Sequence, residues 1–545
     1  MFERSAHVDS FARDHLPPAD QWPAMSYDGT PELRAYPKRM NCAALLVDRQ
    51  AQRFRDRPAI ASPTETWSYG ELQERANRIA NVLVRDLGLK TGNRVLIRGF
   101  NGPMTVACWM AVAKAGGVVV ATMSMLRWRE LTFMVEKAEI DFALCDMRLK
   151  EELDETVKRA PRLAKTLHWG AGGTLEAKMA AASAEFAPVD TAWDDVVLIA
   201  FTSGTTGQPK ATMHFHRDVM AMCDTVARHV IKPKETDICC GTPPIAFTFG
   251  LGVQVAFPFW AGACTYLVEQ GTPESLLKTI EERKITTLAT APTMYRALLA
   301  QLKGRDLSSL KTCISAGEHL PAATWKAWHK ATGIKIIDGL GSTEMIHIFI
   351  TAAGDEVRVG ATGKAIPGYE AAVFDEAGKP CPPNVVGRLA VRGPTGCRYL
   401  DNPERQKTYV QDGWNFTGDA YRRDEDGYYW YEARADDMII SAGYNISGPE
   451  IETVILEHPK VQECAVVGAP DPERGMIVKA FVVLKTKADA GEAMVKDIQD
   501  FVKAQMAPYK YPRAVIFVDA LPKGNTGKLQ RFVLRDQEAA KAKAG

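Results

Sequence analysis

The stretch Thr202-Ser203-Gly204-Thr205-Thr206-Gly207-Gln208-Pro209-Lys210 decides how this chain is read. It follows Val196-Val197-Leu198-Ile199-Ala200, an apolar run of the length of a buried strand. A strand that runs into a loop of Gly, Ser and Thr closing on Lys is suited to hold phosphate. Glycines let main-chain N–H groups approach an anion, and hydroxyls and an ammonium complete the cradle. It is not a Walker A loop, which requires Gly before the Lys, where Pro209 stands. Loops of this composition also occur as plain surface turns, so the reading depends on what accompanies it.

Outward from the loop, helical and strand-like runs alternate. Tyr69 to Leu87 places Leu72, Ala76, Ile79, Ala80 and Leu83 at helical spacing, with Ser68 as its N-cap. Arg94-Val95-Leu96-Ile97 reads as a strand, followed by apolar Met104 to Met125 with a break at Gly116-Gly117. Lys284 to Leu288, Thr312 to Ile314 and Ile334 to Ile337 read as further strands. The alternation predicts an α/β fold with largely parallel sheets flanked by helices. Gly360 to Val391, richer in Gly and Pro, predicts a β-rich subdomain. A boundary near Arg434 to Asp437 divides the chain into residues 1–435, a large N-terminal domain, and 436–545, a small α+β unit. In the latter, a helix starts at Pro449, strands cover Ala465 to Val467 and Ala480 to Leu484, and a second helix runs around Lys496 to Gln505.

Length and composition narrow the function. With 545 residues, more than one core is expected. Hydrophobic content of 46% and charged content of 24% are those of a globular protein. A net charge of +1 offers no electrostatic case for nucleic acid or anionic lipid. The eleven Cys form no C-x-x-C pair, which reads as buried thiols in a reducing, cytoplasmic setting. Met1 to Asp20 has no apolar core of a signal peptide. Ile245 to Val268 carries no charge and is long enough to span about 30 Å as a helix. Gly250, Gly252, Pro258 and Gly262 interrupt it, so it reads as loop, buried helix and buried strand, with no membrane role.

Four more segments follow the loop in fixed order. They are Asp338-Gly339-Leu340-Gly341-Ser342-Thr343-Glu344, Gly413 to Asp419, Arg434 to Asp437, and Gly524-Asn525-Thr526-Gly527-Lys528. Together they resemble the core motifs of the adenylate-forming superfamily: acyl- and aryl-CoA synthetases, peptide-synthetase adenylation domains and luciferases. The resemblance runs from about Trp67 to about Arg531. Asp338 to Phe349 is similar to benzoate-type CoA ligases, and Ser5 to Trp22 is similar to 2-aminobenzoate–CoA ligases.

Activating a carboxylic acid with ATP brings two anions together, so the site needs fixed positive charge, a divalent cation and donors aimed at phosphate. Lys528, delivered by a glycine turn, can supply the charge; the resemblance implies that it contacts the acid and the α-phosphate. Glu344 is a hard oxygen ligand suited to Mg²⁺. The resemblance assigns it that metal together with Thr205, and gives Thr343 a bond to the α-phosphate. Thr202, Ser203, Gly204, Thr205, Thr206, Gly207 and Lys210 would hold the phosphates of ATP. Asp419 and Arg434 would hold the ribose, while Asp338, Gly339, Gly317 and Glu318 would line the adenine slot. Leu340 departs from the pattern, because many members stack a Tyr on adenine there.

For the acid, the resemblance implies a pocket of Thr248, Phe249, Gly341, His347 and Ile348. Small Gly341 is read as leaving room for a flat ring, on which Phe249 packs. A lone His is equally a satisfied core residue. Phe247-Thr248-Phe249 lacks the Asp that amino-acid-adenylating relatives use for an ammonium group. Asp436 is implied as the pivot of a moving C-terminal lid, and Gly443 as lining the tunnel for coenzyme A. The expected activity is an AMP-forming aryl-CoA ligase acting on 2-aminobenzoate or benzoate. Its alternatives are an adenylation protein loading a carrier-protein thiol, or a nucleotide-binding protein without catalysis. The expected partner is a small aromatic acid; a homodimer is left open.

Overall fold

The computed structural model describes residues 3–544 except 203–208, 435–436, 442–443, 472–473, 507–509 and 525–526. Two large sheets carry the chain from Pro58 to Ala365. The six-stranded sheet runs Lys165–Trp169, Phe142–Asp146, Arg94–Arg98, Val118–Thr122, Val196–Thr202, Lys210–Phe215. All its neighbours are parallel except the last pair. Arg94–Arg98 and Phe142–Asp146 are buried at every position, as strands covered on both faces must be.

The nine-stranded sheet has a parallel centre: Ile337–Gly341, Thr312–Ala316, Thr287–Thr290, Ile238–Gly241, Cys264–Leu267 and Pro58–Ala61. Antiparallel strands close both edges. The helix Tyr69–Asn81 packs on Pro103–Lys114 in the largest core cluster. It starts with a capping box in which Ser68 Oγ accepts from Glu71 N and the Glu71 carboxylate accepts from Ser68 N. Its expected last turn, Val82–Asp86, is wound more loosely, as a π-helix.

A five-stranded antiparallel sheet includes Glu370–Phe374, Gly387–Arg392, Trp414–Arg423 and Tyr429–Arg434, and is the expected β-rich region. Beyond it, Val461–Asp471, Gly475–Leu484 and Ala514–Phe517 form a separate three-stranded sheet. The helices Gly448–Ile455 and Arg531–Ala544 pack on its first strand, and Glu492–Gln505 packs against Gly448–Ile455. The expected α/β fold with a small α+β unit is therefore present.

Two strands begin later than their apolar runs suggest. Lys284 takes a left-handed conformation (φ 51°) that caps the helix Pro273–Arg283, so the strand starts at Thr287. Gly333 (φ 74°) caps the helix Ala322–Thr332 in the same way, and the strand starts at Ile337. The uncharged stretch from Ile245 resolves into the helix Thr248–Leu251, a π-turn Gly252–Ala256, the helix Phe257–Ala261 and the strand Cys264–Leu267. Among the described residues no helix is long and apolar enough to cross a membrane.

Candidate active site

In parallel sheets, ligands bind beyond the carboxyl ends of the strands. A cleft of about 760 Å³ lies there. Thr122 and Thr202 end strands of the six-stranded sheet, and Gly317 follows the strand Thr312–Ala316 of the other. Gly524, Gly527 and Lys528 close the cleft from the side of the small C-terminal sheet.

Ser203 to Gly207, with Thr205 as the expected metal ligand, lie outside the described residues, as do Asp436 and Gly443. The ends of the phosphate loop are clear. Thr202 and Lys210 face each other in an antiparallel pair, so the loop joins two strands of a hairpin. A Walker loop instead leads into a helix.

Lys528 is delivered as the glycines suggest. Gly527 sits at φ 78°, Gly527 N donates to Gly524 O at 2.8 Å, and Gly524 N donates to Lys528 O at 2.8 Å. A Cβ placed on Gly317 would lie 3.9 Å from Lys528 Nζ. Gly317 itself is at φ 91°, a conformation that favours glycine. Burial raises the neighbouring Glu318 carboxyl, against the pull of Lys528. Arg531 grips Glu452 with two bonds, 2.9 and 2.5 Å, and so fixes the helix that follows Lys528 to the helix Gly448–Ile455.

Asp338 belongs to the strand Ile337–Gly341 and lines a small second recess beside Trp325, not the wall of the main cleft. Its carboxyl is pushed up to about 8, chiefly by burial. Its Oδ1 is buried with no hydrogen-bond partner, an acceptor available to an amino group. Gly339 is packed under Ile348: a Cβ there would come within 2.5 Å of Ile348 Cδ1. Asp419 pairs with Arg434 across two antiparallel strands, which brings the two expected ribose contacts to one place.

Thr343 and Glu344 lie in the turn after that strand. Tyr399 donates to Glu344 Oε1 at 2.6 Å, and its own hydroxyl pKa is raised by burial and by the Glu344 charge. Ile346, fully buried, has φ 64°. For a β-branched residue this is a strained conformation of about 1–3 kcal/mol. It turns the chain so that His347 enters an aromatic cage. The His347 ring lies 4.6 Å from Phe257 and 5.8 Å from Phe249. Neither ring nitrogen makes a hydrogen bond of good geometry, and burial pushes the imidazole down to about 3 against a weaker pull from the Phe249 main chain. His347 is therefore neutral.

The reason given for Gly341 needs correction. A Cβ there would lie 2.7 Å from the carbonyl oxygen of His347, so the space is already filled by main chain. Glycine is needed because Gly341 pairs closely with Ile348, not to leave room for a ring. The residue that makes room is Gly252, where a Cβ would lie 2.3 Å from His347 Nε2. Thr248 is 5% exposed at the start of its helix, one residue past Phe247, which lines the cleft. Sequence reasoning missed Tyr399, Gly252, Phe257 and His319, whose ring stacks on Tyr431 at 5.1 Å. Gly252 and Phe257 fall inside the uncharged stretch, and period alone could not orient them. Tyr399 carries no local signal.

A hairpin whose loop has the composition of a phosphate cradle, a lysine delivered beside Gly317 and a carboxylate in the turn after a strand are parts that activation of an acid by a nucleotide requires. Residues 47–398 match the AMP-binding enzyme family, and residues 450–528 match the AMP-binding enzyme C-terminal domain. The chain belongs to this family. The benzoate–CoA ligase of Thauera aromatica is 34% identical over 518 residues, which cover 93% of this chain and 98% of that protein. The crystal structure of the anthranilate CoA ligase AuaEII with anthranoyl-AMP superposes with a TM-score of 0.89 at 32% identity, over 93% of this chain and 99% of that one. A benzoate CoA ligase from Burkholderia xenovorans LB400 superposes with a TM-score of 0.83 at 31% identity, over 91% of this chain and all (100%) of that one. The present chain is an AMP-forming acid–CoA ligase, with ATP and CoA as co-substrates.

Proposed function

We propose that the acid is a planar aryl acid, with 2-aminobenzoate and benzoate among the best substrates. The observation that carries this reading is the cage around His347. Two phenyl rings flank its neutral imidazole, and no charged group is among them. Flat rings pack on such faces, and an ortho amine needs only one acceptor. The likeness to an anthranilate ligase and two benzoate ligases supports the same class.

In this reading Lys528 brings its ammonium to the point where the carboxylate meets the α-phosphate. Thr343 donates its hydroxyl there, Asp338 accepts from the adenine amino group, and Asp419 with Arg434 holds the ribose. Residues 436–545 act as a lid that turns about Asp436 once the adenylate has formed. Lys528 then leaves, and Gly443 lines the path by which the thiol of CoA displaces AMP. The setting is cytoplasmic.

Mg²⁺ fits the residues present. Among the described residues no cluster of three or more His, Cys, Asp or Glu could cage a metal, and Glu344 stands as a single carboxylate held by Tyr399. Mg²⁺ takes one or two carboxylates and completes its shell with water and phosphate oxygens. Bound by Glu344 and Thr205, it would neutralise phosphate charge.

The test is kcat/KM for benzoate, its 2-amino, 2-hydroxy and 4-hydroxy derivatives, and octanoate. Aryl acids should exceed octanoate. An enzyme that turned over octanoate faster than every aryl acid would overturn the assignment.

A further inference from the structure

Beneath Thr343 and Glu344 lies a buried polar cluster that the chemistry above does not use. His214, Asp218 and Arg398 are each 0% exposed. His214 Nε2 lies 2.8 Å from the carbonyl oxygen of Thr343. A carbonyl can only accept, so the imidazole carries a proton on Nε2. Asp218 Oδ2 lies 3.6 Å from His214 Nδ1 and accepts a hydrogen bond from Arg398. The same oxygen accepts from Phe215 N at 3.0 Å. Replacing such a buried ion pair by apolar side chains is often neutral or stabilising. Stability alone therefore gives no reason for it.

Its position does. The Thr343 carbonyl also accepts from Ile346 N at 3.0 Å, so it anchors the turn whose last residue is strained. Strain of that kind persists only where the surroundings over-determine it. On the other side of the turn, Tyr399, next to Arg398 in the chain, holds the Glu344 carboxylate. Both supports hang on one strand. His214 belongs to Lys210–Phe215, which returns from the phosphate loop, and Met213 N and Leu400 N bind Arg398 O and Ala211 O at 2.8 and 2.9 Å.

We propose that His214, packed beside the buried Asp218–Arg398 ion pair, is a positioning residue. It ties the turn Thr343 to His347 to the strand leaving the phosphate loop. The α-phosphate donor and the acid pocket are thereby kept in register with the phosphates. The proposal rests on the reading of Thr343 as that donor.

The experiment is a double-mutant cycle on single-turnover adenylate formation from ATP and benzoate, followed through full steady-state kinetics. Displacing reacting groups by about 1 Å costs on the order of 100-fold. His214→Phe, which removes the donor, should lower kcat about ten- to 100-fold, with KM for ATP and acid within about threefold. His214→Gln, which keeps an N–H donor, should stay within about threefold of wild type. In a Thr343→Ala background, His214→Phe should cost less than about threefold, because coupled residues are not additive.

An undiminished loss in that background overturns the proposal. So do equal losses for Phe and Gln, an unchanged kcat, or a change confined to KM. Thr343→Ala with wild-type rate would show instead that the reading of Thr343 is wrong, and that result is visible in the single variant. Should His214→Phe not fold, His214→Asn, whose shorter amide leaves the carbonyl unpaired, takes its place. If neither folds, His214 is a core residue only and the proposal falls.

Discussion

The turn from Thr343 to His347 and the turn from Gly524 to Lys528 are both assigned to the reaction in the proposed function, and they are held in opposite ways. The first is fastened from several sides: by His214 at the Thr343 carbonyl, by Tyr399 at Glu344, and by Thr395 Oγ1 donating to Met345 O at 2.9 Å. Its strain at Ile346 is the mark of that confinement. Among its described residues the second carries two main-chain bonds within itself, and a Cβ on Gly527 would meet nothing within 4 Å. Groups that must keep a fixed geometry sit on the buried turn. In the proposed reaction the ammonium of Lys528, which would arrive for adenylation and leave for thioester formation, sits on the open one. The difference separates preorganised parts of a site from a deliverable part.

The sharpest break should come at the open turn. Lys528→Ala is expected to slow adenylate formation by about 10²–10³-fold. Thioester formation from supplied acyl-adenylate should be far less affected, since no second anion then approaches the phosphate. Stopped assays of the two half-reactions give the comparison, and equal losses would remove Lys528 from this role.

On the confined side, Gly252→Ala forces a methyl onto the His347 ring, which is itself buried. A shift of about 1 Å there should cost about ten- to 100-fold in kcat/KM for aryl acids, with KM for ATP little changed. Wild-type kinetics with benzoate would place the acid elsewhere.

Asp338 links stability to pH. Its folded pKa of about 8 lies above its usual 3.8, so between those values the unfolded chain binds fewer protons than the folded one. Stability from this group is complete below about pH 4 and is lost as pH rises toward 8. Asp338→Asn should therefore gain on wild type by about 1–3 kcal/mol near neutral pH, with the gap closing at low pH. Urea midpoints across that range measure it; a constant gap would return Asp338 to an ordinary carboxyl.

The smallest effect is expected at Thr248. Its hydroxyl is the nearest polar group of the aromatic segment, and Thr248→Ala should narrow the preference for 2-aminobenzoate over benzoate. The whole preference is worth roughly 1–3 kcal/mol, so the change should be a fraction of that. An unchanged kcat/KM ratio would leave His347 as the amine's acceptor.

The α/β class, the strand before the phosphate loop and the glycines before Lys528 are local facts, and they were legible. Apolar runs mark buried parallel strands, Gly and Pro mark turns, and the ordered motifs survive in the linear text. The same text misjudged two strand starts, because Lys284 and Gly333 cap helices with left-handed residues that an apolar count does not see. It assigned Gly341 the space that belongs to Gly252, because which main chain passes beside a glycine depends on strand pairing.

What the sequence by itself determined is thus the chemistry on offer: a phosphate loop, a carboxylate, a deliverable lysine and an aromatic segment, in a fixed order. What only the tertiary structure decided is which of these are confined. Tyr399, Arg398 and His214 lie 55 to 185 residues from their partners Glu344, Met213 and Thr343. Such contacts follow from how the strands Val196–Thr202 and Lys210–Phe215 and the segment around Tyr399 are laid side by side, a long-range packing result that no local spacing encodes.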